Sequence, residues 1–399
     1  MASRLAAVLL TPEAPYPAVG GGPLRTAGLV EYLARRAELD VVVFREAGAP
    51  DPRTGRLREL ARRIIVIELP THSRSHRARV GRNLVRLLLG VPPLVDRFAR
   101  FEQQIAERLG ESRYELGVVE HFCCAPYAAL LARRVKRLVL DMHNVESVWH
   151  ERCSKIEPWP VSVAHRRFAE CCRRLERRWL PKYWRLLVAS EADAKLVQAI
   201  APGLKACVYP NSIPHRQAPV RHEEEAIAFT GNMEYLPNIA AVRYFARDVW
   251  PRLRDRWPRL EWWLVGKRPE AIERYTRGVA GTRIWGEVED AVQVLARAKA
   301  AVVPLQAGSG TRLKILEAWA AATPVVSTSL GAEGLAGLAG EHLVIADTPQ
   351  ALLEAVSALV ASPALRKRIG QAGRALYERE YTWEAGWRRL EQCLPLPQL

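Results

Sequence analysis

The most informative stretch of the sequence is Pro304-Leu-Gln-Ala-Gly-Ser-Gly-Thr-Arg-Leu-Lys-Ile-Leu-Glu-Ala318. Its pattern predicts a strand that ends at Pro304, a loop that contains Gly308 and Gly310, and then a helix. Glycine lets a ligand approach the backbone, and the unpaired N–H groups at the start of a helix attract phosphate. The stretch therefore predicts a strand–loop–helix unit of an α/β domain with an anion site, or, more simply, a tight turn.

Three side chains at the start of this helix extend the prediction. Arg312 and Lys314 place positive charge in the first helical turn, where a cation opposes the helix dipole. Such a local cost indicates that both residues have a functional reason to be there. Glu317 lies about one turn further on, where it can accept hydrogen bonds from the hydroxyl groups of a ligand.

Short apolar runs alternate with longer amphipathic stretches along most of the chain, which is typical of strand–helix–strand units around a parallel sheet. The alternation restarts after residue 221, so we predict two α/β domains joined by Pro210-Asn-Ser-Ile-Pro214 and the polar residues 221–225. The predicted strands are Leu5–Leu10, Asp40–Phe44, Ile64–Leu69, Leu116–Glu120, Leu138–Asp141, Leu186–Ala189, Ala206–Tyr209, Ala226–Thr230, Leu260–Val265, Arg283–Trp285, Ala300–Pro304, Pro324–Ser327 and His342–Ala346.

The chain of 399 residues is 49% apolar and 26% charged, a globular composition without an apolar run long enough to span a membrane. Residues 1–220 hold 36 of the 59 basic and 22 of the 43 acidic residues, so they carry +14 of the net charge of +16. This asymmetry predicts an anionic partner for the N-terminal half, although an arginine-rich genome would produce the same excess. Within it, Thr71–Phe101 combines clustered arginines with Leu84 and Leu87-Leu-Leu89, as a helix resting on an anionic bilayer would.

The seven cysteines form no even disulfide framework, so we expect a reduced, cytosolic chain. A metal site is a weak alternative, because His121 lies near Cys123 but no CxxC or HExxH spacing occurs. Buried structural thiols explain the cysteines more simply.

From Gly308 to Leu335 the sequence closely resembles the C-terminal domain of family 4 glycosyltransferases, in particular bacterial sugar transferases associated with exopolysaccharide gene clusters. Phe229-Thr-Gly-Asn-Met-Glu-Tyr-Leu-Pro-Asn238 resembles the opening strand and loop of that domain. The resemblance covers most of the chain and is strongest from 227 to 347. Other matching segments are Gly20–Gly22, Asp141–Glu146, Ser190–Glu191, Pro210–Ile213, Leu264–Lys267 and Trp285–Glu287.

The resemblance implies the GT-B class of α/β fold, in which two Rossmann-like domains face each other across a cleft. It implies a Rossmann-like acceptor domain over residues 1–212, a Rossmann-like nucleotide-sugar donor domain over 222–374, and a C-terminal helix over 375–399 that crosses back to the N-terminal domain. The implied enzyme is a retaining, hexosyltransferase-type glycosyltransferase whose co-substrate is a nucleoside diphosphate sugar. Members of the family need no metal, and the sequence agrees because it has no DxD pair; no cofactor is implied.

The resemblance assigns the donor site residue by residue. Glu317 matches the second glutamate of the family's E-x7-E motif, which in relatives holds the ribose hydroxyls of the donor. Ser309 replaces the first glutamate, so backbone N–H groups near Gly310 would have to hold the sugar. The implied donor-binding residues are Gly231, Asn232, Gly308, Ser309, Gly310, Thr311, Arg312, Lys314 and Glu317.

A second departure concerns the phosphate-binding pair. Many relatives carry an Arg and a Lys five residues apart after the first strand of this domain, where this chain has Asn232 and Pro237. Arg312 and Lys314 are the predicted replacements. Each charge-assisted hydrogen bond to the diphosphate is worth about 1.5–3 kcal/mol, so a site without either pair would hold its donor poorly.

In the N-terminal half, His143 follows a predicted strand, and the resemblance makes it the histidine that contacts the donor sugar. His143 and Glu317 are therefore the candidate catalytic residues. Gly21 and Gly22 match the loop after the first strand, where the backbone can approach the diphosphate or the acceptor. A flexible, proline-flanked turn is the alternative for these two glycines.

We expect a cytoplasmic enzyme that visits the inner face of the membrane and glycosylates a lipid-linked or phosphorylated acceptor, in exopolysaccharide or glycolipid synthesis. The sequence does not identify the donor sugar or the acceptor. Two alternatives remain open: a nucleotide-sugar epimerase on the same fold, and a basic nucleic-acid-binding protein. The second is the weaker, because the basic residues are not interleaved with an aromatic platform or zinc ligands.

Overall fold

The computed structural model describes residues 5–395 with the exception of 72, 74 and 309–311. The chain divides into two compact units. The N-terminal unit consists of Met1–Pro210 together with Trp387–Leu399, and the C-terminal unit consists of Asn211–Gly386.

The N-terminal unit is built on a seven-stranded sheet in which every neighbouring pair of strands is parallel. Its strands are rich in Val, Leu and Ile and are buried on both faces, as a parallel sheet covered by helices requires. In chain order they are β1 (Leu5–Thr11), β2 (Ala37–Arg45), β3 (Arg63–Glu68), β4 (Tyr114–Glu120), β5 (Val135–Met142), β6 (Arg185–Val188) and β7 (Ala206–Val208).

Helices connect these strands. They are α1 (Gly21–Ala34), α2 (Arg56–Leu60), α3 (His76–Leu89), α4 (Pro93–Arg97), α5 (Glu102–Leu109), α6 (Ala128–Leu131), α7 (Glu146–Ile156), α8 (Val161–Trp179) and α9 (Glu191–Ile200), with short 3-10 helices at Phe122–Tyr127 and Leu180–Lys182.

The C-terminal unit repeats the arrangement on a six-stranded parallel sheet. Its strands are β8 (Glu224–Thr230), β9 (Glu261–Val265), β10 (Thr282–Gly286), β11 (Ala298–Val303), β12 (Val325–Ser327) and β13 (Val344–Ile345). Its helices are α10 (Leu236–Asp248), α11 (Trp250–Arg256), α12 (Glu273–Thr276), α13 (Ala291–Leu295), α14 (Leu313–Ala320), α15 (Pro349–Ala361) and α16 (Pro363–Glu380), with a 3-10 helix at Pro269–Ala271.

The strand order places a topological switch point in each unit. The first sheet runs β3-β2-β1-β4-β5-β6-β7, and the second runs β10-β9-β8-β11-β12-β13. The strand order therefore reverses beside β1 in one unit and beside β8 in the other. Ligands of open α/β sheets bind outside the carboxyl ends of the strands at such points, which directs attention to the loops after β1 and β8.

The last helix, α17 (Trp383–Cys393), starts in the C-terminal unit and ends in the N-terminal one. Trp387 packs in the N-terminal unit: its indole Nε1 donates to the carbonyl of Gly28 at 2.8 Å, and the Arg35 guanidinium lies 4.4 Å from its ring centroid. Glu391 forms an ion pair with Arg36. The terminal segment predicted from residue 375 begins later, because α16 continues without a break to Glu380.

Across the described part of the chain, every helix is too short or too polar to cross a bilayer.

Candidate functional site

Close backbone packing shapes the loop after β8. Gly231 and Gly266 have φ of 145° and 140°, values that favour glycine. A Cβ on Gly266 would lie 1.9 Å from the Gly231 carbonyl oxygen, and a Cβ on Gly231 would lie 2.8 Å from Nδ2 of Asn238. The ends of β8 and β9 can therefore meet because Gly266 has no side chain. Gly231, a predicted donor residue, likewise leaves room for the side chain of Asn238.

A polar cluster lies beside these glycines. Lys314 Nζ donates to Asn238 Oδ1 at 3.1 Å, and Asn238 Nδ2 donates to the Asn232 carbonyl at 2.7 Å. Thr230 at the end of β8 donates to Glu317 Oε2 at 3.2 Å. The structure thus brings together the two predicted residues Lys314 and Glu317 and adds Thr230 and Asn238, which were not predicted as site residues.

Lys314 and Glu317 titrate abnormally. Burial, assisted by the nearby charge of Arg312, lowers the pKa of Lys314 to about 8, against the opposing effect of Glu317. Burial raises the pKa of Glu317, while Lys314 and the Thr230 hydrogen bond lower it. In both residues burial disfavours the charged form. A ligand with both phosphate and hydroxyl groups would therefore meet binding partners that are poorly solvated.

Arg312, a predicted donor residue, lies at the start of α14. It caps the N-terminus of α14, which begins at Leu313, and its side chain is 6% exposed. Its Nη2 donates to the Leu330 carbonyl at 3.4 Å, and its Nη1 lies 2.9 Å from where a Cβ on Gly308 would be. Gly308 has φ of 118°, so this position needs glycine for both its backbone conformation and the space that the guanidinium occupies.

Not every predicted donor residue is described. Ser309, Gly310 and Thr311 lie outside the described residues. Asn232 is exposed, and its Oδ1 accepts a hydrogen bond from the backbone N–H of Glu234 at 3.0 Å, so its side chain closes a local turn. An ion pair that was not predicted, between Arg216 and Asp290 at 2.5 Å, acts electrostatically on Glu317.

The second group of predicted residues lies in the N-terminal unit, after β1. Gly20 caps α1 with φ of 92°, and Gly21 and Gly22 are the first residues of the helix. A Cβ on Gly22 would lie 2.1 Å from Glu13 Oε1 and 4.0 Å from His143 Cε1. The absence of a side chain at Gly22 therefore lets Glu13 and His143 approach the start of α1.

Two fully buried carboxyl groups lie behind His143, on neighbouring strands. Glu120 ends β4 and is paired in register with Asp141 of β5. Arg25 of α1 donates to both carboxylate oxygens of Asp141, at 2.7 and 2.5 Å, and to the Tyr209 carbonyl at 2.7 Å. This two-pronged ion pair neutralises Asp141 inside the unit, where an unpaired charge would be very costly.

His143 completes the cluster. Its Nε2 lies 2.5 Å from Glu120 Oε2 and 3.8 Å from Asp141 Oδ2. Burial and the negative charge of Asp141 raise the pKa of Glu120 well above its ordinary value, and burial lowers the pKa of His143. The consistent assignment is a neutral Glu120 that donates to Nε2 of a neutral imidazole, whose own proton then sits on Nδ1.

Neighbouring groups extend the cluster toward α7. Burial raises the pKa of Glu146, the first residue of α7, to about 7. His121 has φ of 68°, its Nε2 lies 3.8 Å from Glu146 Oε1, and its ring centroid lies 5.1 Å from that of His143. A non-glycine residue with positive φ beside a site is typical of strain kept for function.

The donor set of Glu120, Asp141 and His143 is close enough to be considered for a metal, since one ligand atom of each lies within 4.8 Å of the others. The chemistry fits a cation poorly: Arg25 occupies both oxygens of Asp141, and Glu120 favours its neutral form. The expectation of a metal-independent reaction stays a prediction.

Arg25 and Glu120 were not predicted from the sequence. A signal existed for Glu120, because it ends the predicted strand Leu116–Glu120 just as Asp141 ends Leu138–Asp141. Acidic residues at the carboxyl ends of two parallel strands meet if those strands are neighbours. For Arg25, a lone arginine within the apolar helix Leu24–Leu33 was the available hint.

Comparison with known proteins identifies part of the C-terminal unit. Residues 224–362 match the family described as glycosyl transferases group 1. No curated protein gives a significant match to the chain. The family match supports a glycosyltransferase and does not favour the epimerase or the nucleic-acid-binding alternative.

Solved structures of low sequence identity share the fold of the whole chain. Sucrose-phosphate synthase from Thermosynechococcus elongatus has a TM-score of 0.75 at 16% identity, over 98% of this chain and 98% of that one. HepE from Anabaena, in complex with UDP and glucose, has a TM-score of 0.66 at 14% identity, over 97% and 99% of the two chains. An α,α-trehalose-phosphate synthase (UDP-forming) from Burkholderia vietnamiensis has a TM-score of 0.64 at 13% identity, over 98% and 99%.

These similarities, together with the two Rossmann-like α/β units, confirm the predicted GT-B fold class.

Proposed function

We propose that the protein, which carries a glycosyl transferase group 1 domain, is a retaining, hexosyltransferase-type enzyme that transfers a sugar from a nucleoside diphosphate sugar without a metal. The observation that carries the proposal is the cluster of Lys314, Asn238 and Glu317 at the carboxyl end of β8, inside the matched domain. It offers a cation, an amide and a carboxylate at the switch point of the sheet, where α/β proteins bind nucleotides.

Lys314 and Arg312 are the proposed partners of the diphosphate. Among the described residues, Lys314 Nζ hydrogen-bonds to the neutral amide oxygen of Asn238, and burial together with the charge of Arg312 lowers its pKa against the opposing effect of Glu317. A diphosphate beside Nζ would restore the charged form and gain charge-assisted hydrogen bonds, each worth about 1.5–3 kcal/mol. The pair thereby replaces the Arg and Lys that family members carry at the positions of Asn232 and Pro237.

Glu317 is the proposed acceptor of ribose hydroxyls. Thr230 holds Oε2 in place, and no described residue is bonded to Oε1. Partial burial makes the carboxylate a strong acceptor for a hydroxyl that arrives with the donor, because water competes poorly there. Gly231 and Gly308 would lie against the donor.

His143 is the proposed catalytic contact with the donor sugar. Glu120 holds the Nε2 atom of His143, so the imidazole ring is kept in a single orientation. A neutral, oriented imidazole can donate to a sugar hydroxyl or to a carbonyl without adding charge to the site. Gly22 has no side chain that would compete with Glu13 and His143 for the space at the start of α1.

Uridine diphosphate sugars are the first donors to test, because HepE, which shares the fold, was solved with UDP and with UDP-glucose. Titration calorimetry should show that UDP-glucose and UDP bind and that uridine, which lacks the diphosphate, binds far more weakly. Glu317→Ala should weaken UDP binding by about 1.5–3 kcal/mol, or roughly tenfold to a hundredfold, and stop transfer.

The matched control is Glu354→Ala, which removes an exposed carboxylate of the same unit. If each nucleoside diphosphate bound no more tightly than its nucleoside, for uridine and for the other bases alike, the proposed diphosphate site would be overturned. Wild-type affinity and turnover in Glu317→Ala would overturn the role of Glu317.

The proposed acceptor is lipid-linked or phosphorylated, and the proposed location is the cytoplasmic face of the membrane, in exopolysaccharide or glycolipid synthesis. The basic N-terminal half supports this, and so does α3, where Leu84, Leu88 and Leu89 are exposed. Two details differ from the sequence prediction. Leu87 is half-buried, and Arg86 pairs with Asp96 at 2.8 Å, so neither is available to a membrane surface.

A further inference from the structure

The exposed large apolar side chains of the described residues are concentrated in two short segments of the N-terminal unit. One is the outer face of α3, which comprises Val80, Leu84, Val85, Leu88 and Leu89. The other is the turn between α7 and α8 with the first residues of α8, here called the 159–163 turn. Monomeric soluble proteins rarely leave such apolar groups together in water, so a partner is indicated.

An ordinary surface helix turns its apolar side chains toward the core, but α3 turns an apolar stripe toward water. Val80, Leu84 and Leu88 recur at four-residue intervals and form one stripe, with Leu88 77% exposed. The opposite side carries Arg86, which is mostly buried and paired with Asp96 of α4. The helix therefore uses a polar contact to hold itself to the unit and keeps its apolar stripe free.

The 159–163 turn presents a large aromatic side chain. Trp159 is 81% exposed, and Val161 and Val163 beside it are exposed as well. Arg166 and Arg167 follow on α8, are exposed, and have no ion-pair or hydrogen-bond partner among the described residues. Tryptophan with neighbouring cations is the composition that membrane interfaces favour, because the indole sits at headgroup depth and the cations meet anionic lipid.

The two segments belong to helices that touch. A Cβ on Gly90, directly after α3, would lie 3.5 Å from Sγ of Cys171 on α8. Val161 precedes Cys171 by ten residues and Val80 precedes Gly90 by ten, so at 1.5 Å per helical residue each lies about 15 Å along its helix from this contact, with Trp159 two residues further on. A single patch of bilayer is wide enough to reach both.

We propose that the 159–163 turn and the outer face of α3 together form one contact surface for a bilayer that contains anionic phospholipid, with Trp159 as its interfacial anchor. The inference rests on the peripheral-membrane part of the proposed function and names the residues that would carry it. Charge favours lipid over a protein partner: Arg77, Arg166 and Arg167 surround the apolar residues without any acidic partner among the described residues, and residues 1–220 are strongly basic.

The experiment is sedimentation of the full chain with vesicles of phosphatidylcholine alone and of phosphatidylcholine mixed with phosphatidylglycerol. Wild type should pellet with the mixed vesicles and stay in the supernatant with the neutral ones. Trp159→Ala should weaken binding roughly tenfold, since a large apolar side chain is no longer transferred from water. Trp184→Ala and Leu338→Ala, which remove exposed apolar side chains elsewhere, should bind like wild type.

Quenching gives a second readout. Brominated phosphatidylcholine in the mixed vesicles should quench part of the tryptophan fluorescence of wild type, and Trp159→Phe should lose most of that quenching. If Trp159→Ala pellets like wild type and Trp159→Phe is quenched like wild type, the turn does not touch the bilayer and the inference is wrong. Equal binding to neutral vesicles would overturn the requirement for anionic lipid.

UDP-glucose calorimetry without vesicles separates this inference from the proposed function. Wild type that binds the donor but no vesicle leaves the glycosyltransferase proposal standing and overturns the membrane surface. Wild type that binds anionic vesicles through Trp159 but no nucleotide sugar supports the surface and overturns the donor site. Trp159→Ala should keep wild-type donor affinity and melting temperature, because its side chain is exposed and far along the chain from the donor loop.

Discussion

At the scale of single residues, the two candidate sites handle buried charge in different ways. Asp141 is paired by Arg25, Glu120 favours its neutral form, and burial lowers the pKa of Lys314, whose hydrogen bond among the described residues goes to the neutral amide of Asn238. The first two arrangements are complete without a ligand. Lys314 forms no ion pair at hydrogen-bond distance with any described residue, which is why we place the binding of an anion there.

Lys314 predicts a pH dependence of donor binding. Its pKa in the free protein is about 8. A bound diphosphate raises that pKa, so binding takes up a proton at pH values above about 8 and needs none below. UDP-glucose affinity should therefore change little just below pH 8 and fall with rising pH above it, by at most about tenfold per pH unit. Calorimetry on Lys314→Arg, whose side chain stays charged, should show no such fall; a fall of the same size in that variant would contradict the assignment.

Glu120 predicts a contrast between two substitutions. Because the neutral form is favoured, Glu120→Gln should keep the hydrogen bond to His143 and change the free energy of unfolding by less than about 1 kcal/mol at or below about pH 4.5, where the unfolded carboxyl is also largely protonated. Glu120→Ala should cost about 1–3 kcal/mol, since it leaves His143 Nε2 without its partner.

The sign of the pH effect follows from the raised pKa of Glu120. Its folded form holds the proton longer than the unfolded form, so wild-type stability should decline relative to Glu120→Gln as pH rises above about 4.5. Denaturant unfolding at several pH values measures the difference. A Gln variant as unstable as the Ala variant would show that Glu120 is ionised.

At the scale of secondary-structure elements, the donor site depends on how closely the ends of β8 and β9 approach. Gly231 N–H donates to the Val265 carbonyl at 3.0 Å, and Gly266 N–H donates to the Gly286 carbonyl at 2.6 Å, so three strand ends are joined in sequence by backbone bonds. The side chains of Thr230 and Asn238 take their positions from this junction. A change in the spacing of these strand ends would therefore displace Lys314, which is bonded to Asn238, and Glu317, which is bonded to Thr230.

Gly266→Ala tests this junction. Its Cβ would meet the Gly231 carbonyl oxygen at 1.9 Å, in addition to the backbone strain of a positive φ, which costs about 1–3 kcal/mol. We expect a loss of stability larger than that range and a loss of UDP binding. The control is Gly278→Ala, which has φ of 78° and open space around the new Cβ, so it carries the strain without the clash. Thermal unfolding of the two variants should differ; equal losses would mean that the strand ends can separate freely.

At the scale of the whole molecule, charge and exposed apolar surface are concentrated in the same unit. Residues 1–220 carry nearly all of the net positive charge and include α3 and the 159–163 turn. Electrostatic attraction acts over about one Debye length, which is ~10 Å at 0.1 M salt, whereas apolar contact needs direct insertion. Association with a membrane surface should therefore have one component that salt weakens and one that it does not.

The double variant Leu84→Gln, Leu88→Gln tests the apolar component of membrane binding. Because both side chains are exposed, the free energy of unfolding should change by no more than about 0.5 kcal/mol. Sedimentation with anionic vesicles should fall at every salt concentration, while wild type should lose only part of its binding as salt rises. Leu338→Gln, an exposed leucine of the C-terminal unit, serves as the control. Wild-type binding by the double variant would place the contact elsewhere.

The sequence alone determined the features that depend on neighbouring residues. Apolar runs and turn residues predicted all strands of both sheets, because a strand buried on both faces needs such a run within its own few residues. The strand–loop–helix unit around Gly308 and the pair of Lys314 and Glu317 were readable for the same reason, since they lie within ten residues of each other.

Only the tertiary structure decided which distant residues meet. Arg25 reaches Asp141 across 116 positions, Thr230 reaches Glu317 across 87, and Glu120 reaches His143 across 23, in each case because the strand order makes their elements neighbours. The sequence predicted that leucines of α3 face a bilayer, and the structure decided which of them are exposed: Leu84, Leu88 and Leu89, but not the half-buried Leu87. On the opposite side of α3, Arg86 pairs with Asp96 of α4, a contact that periodicity within one helix does not encode.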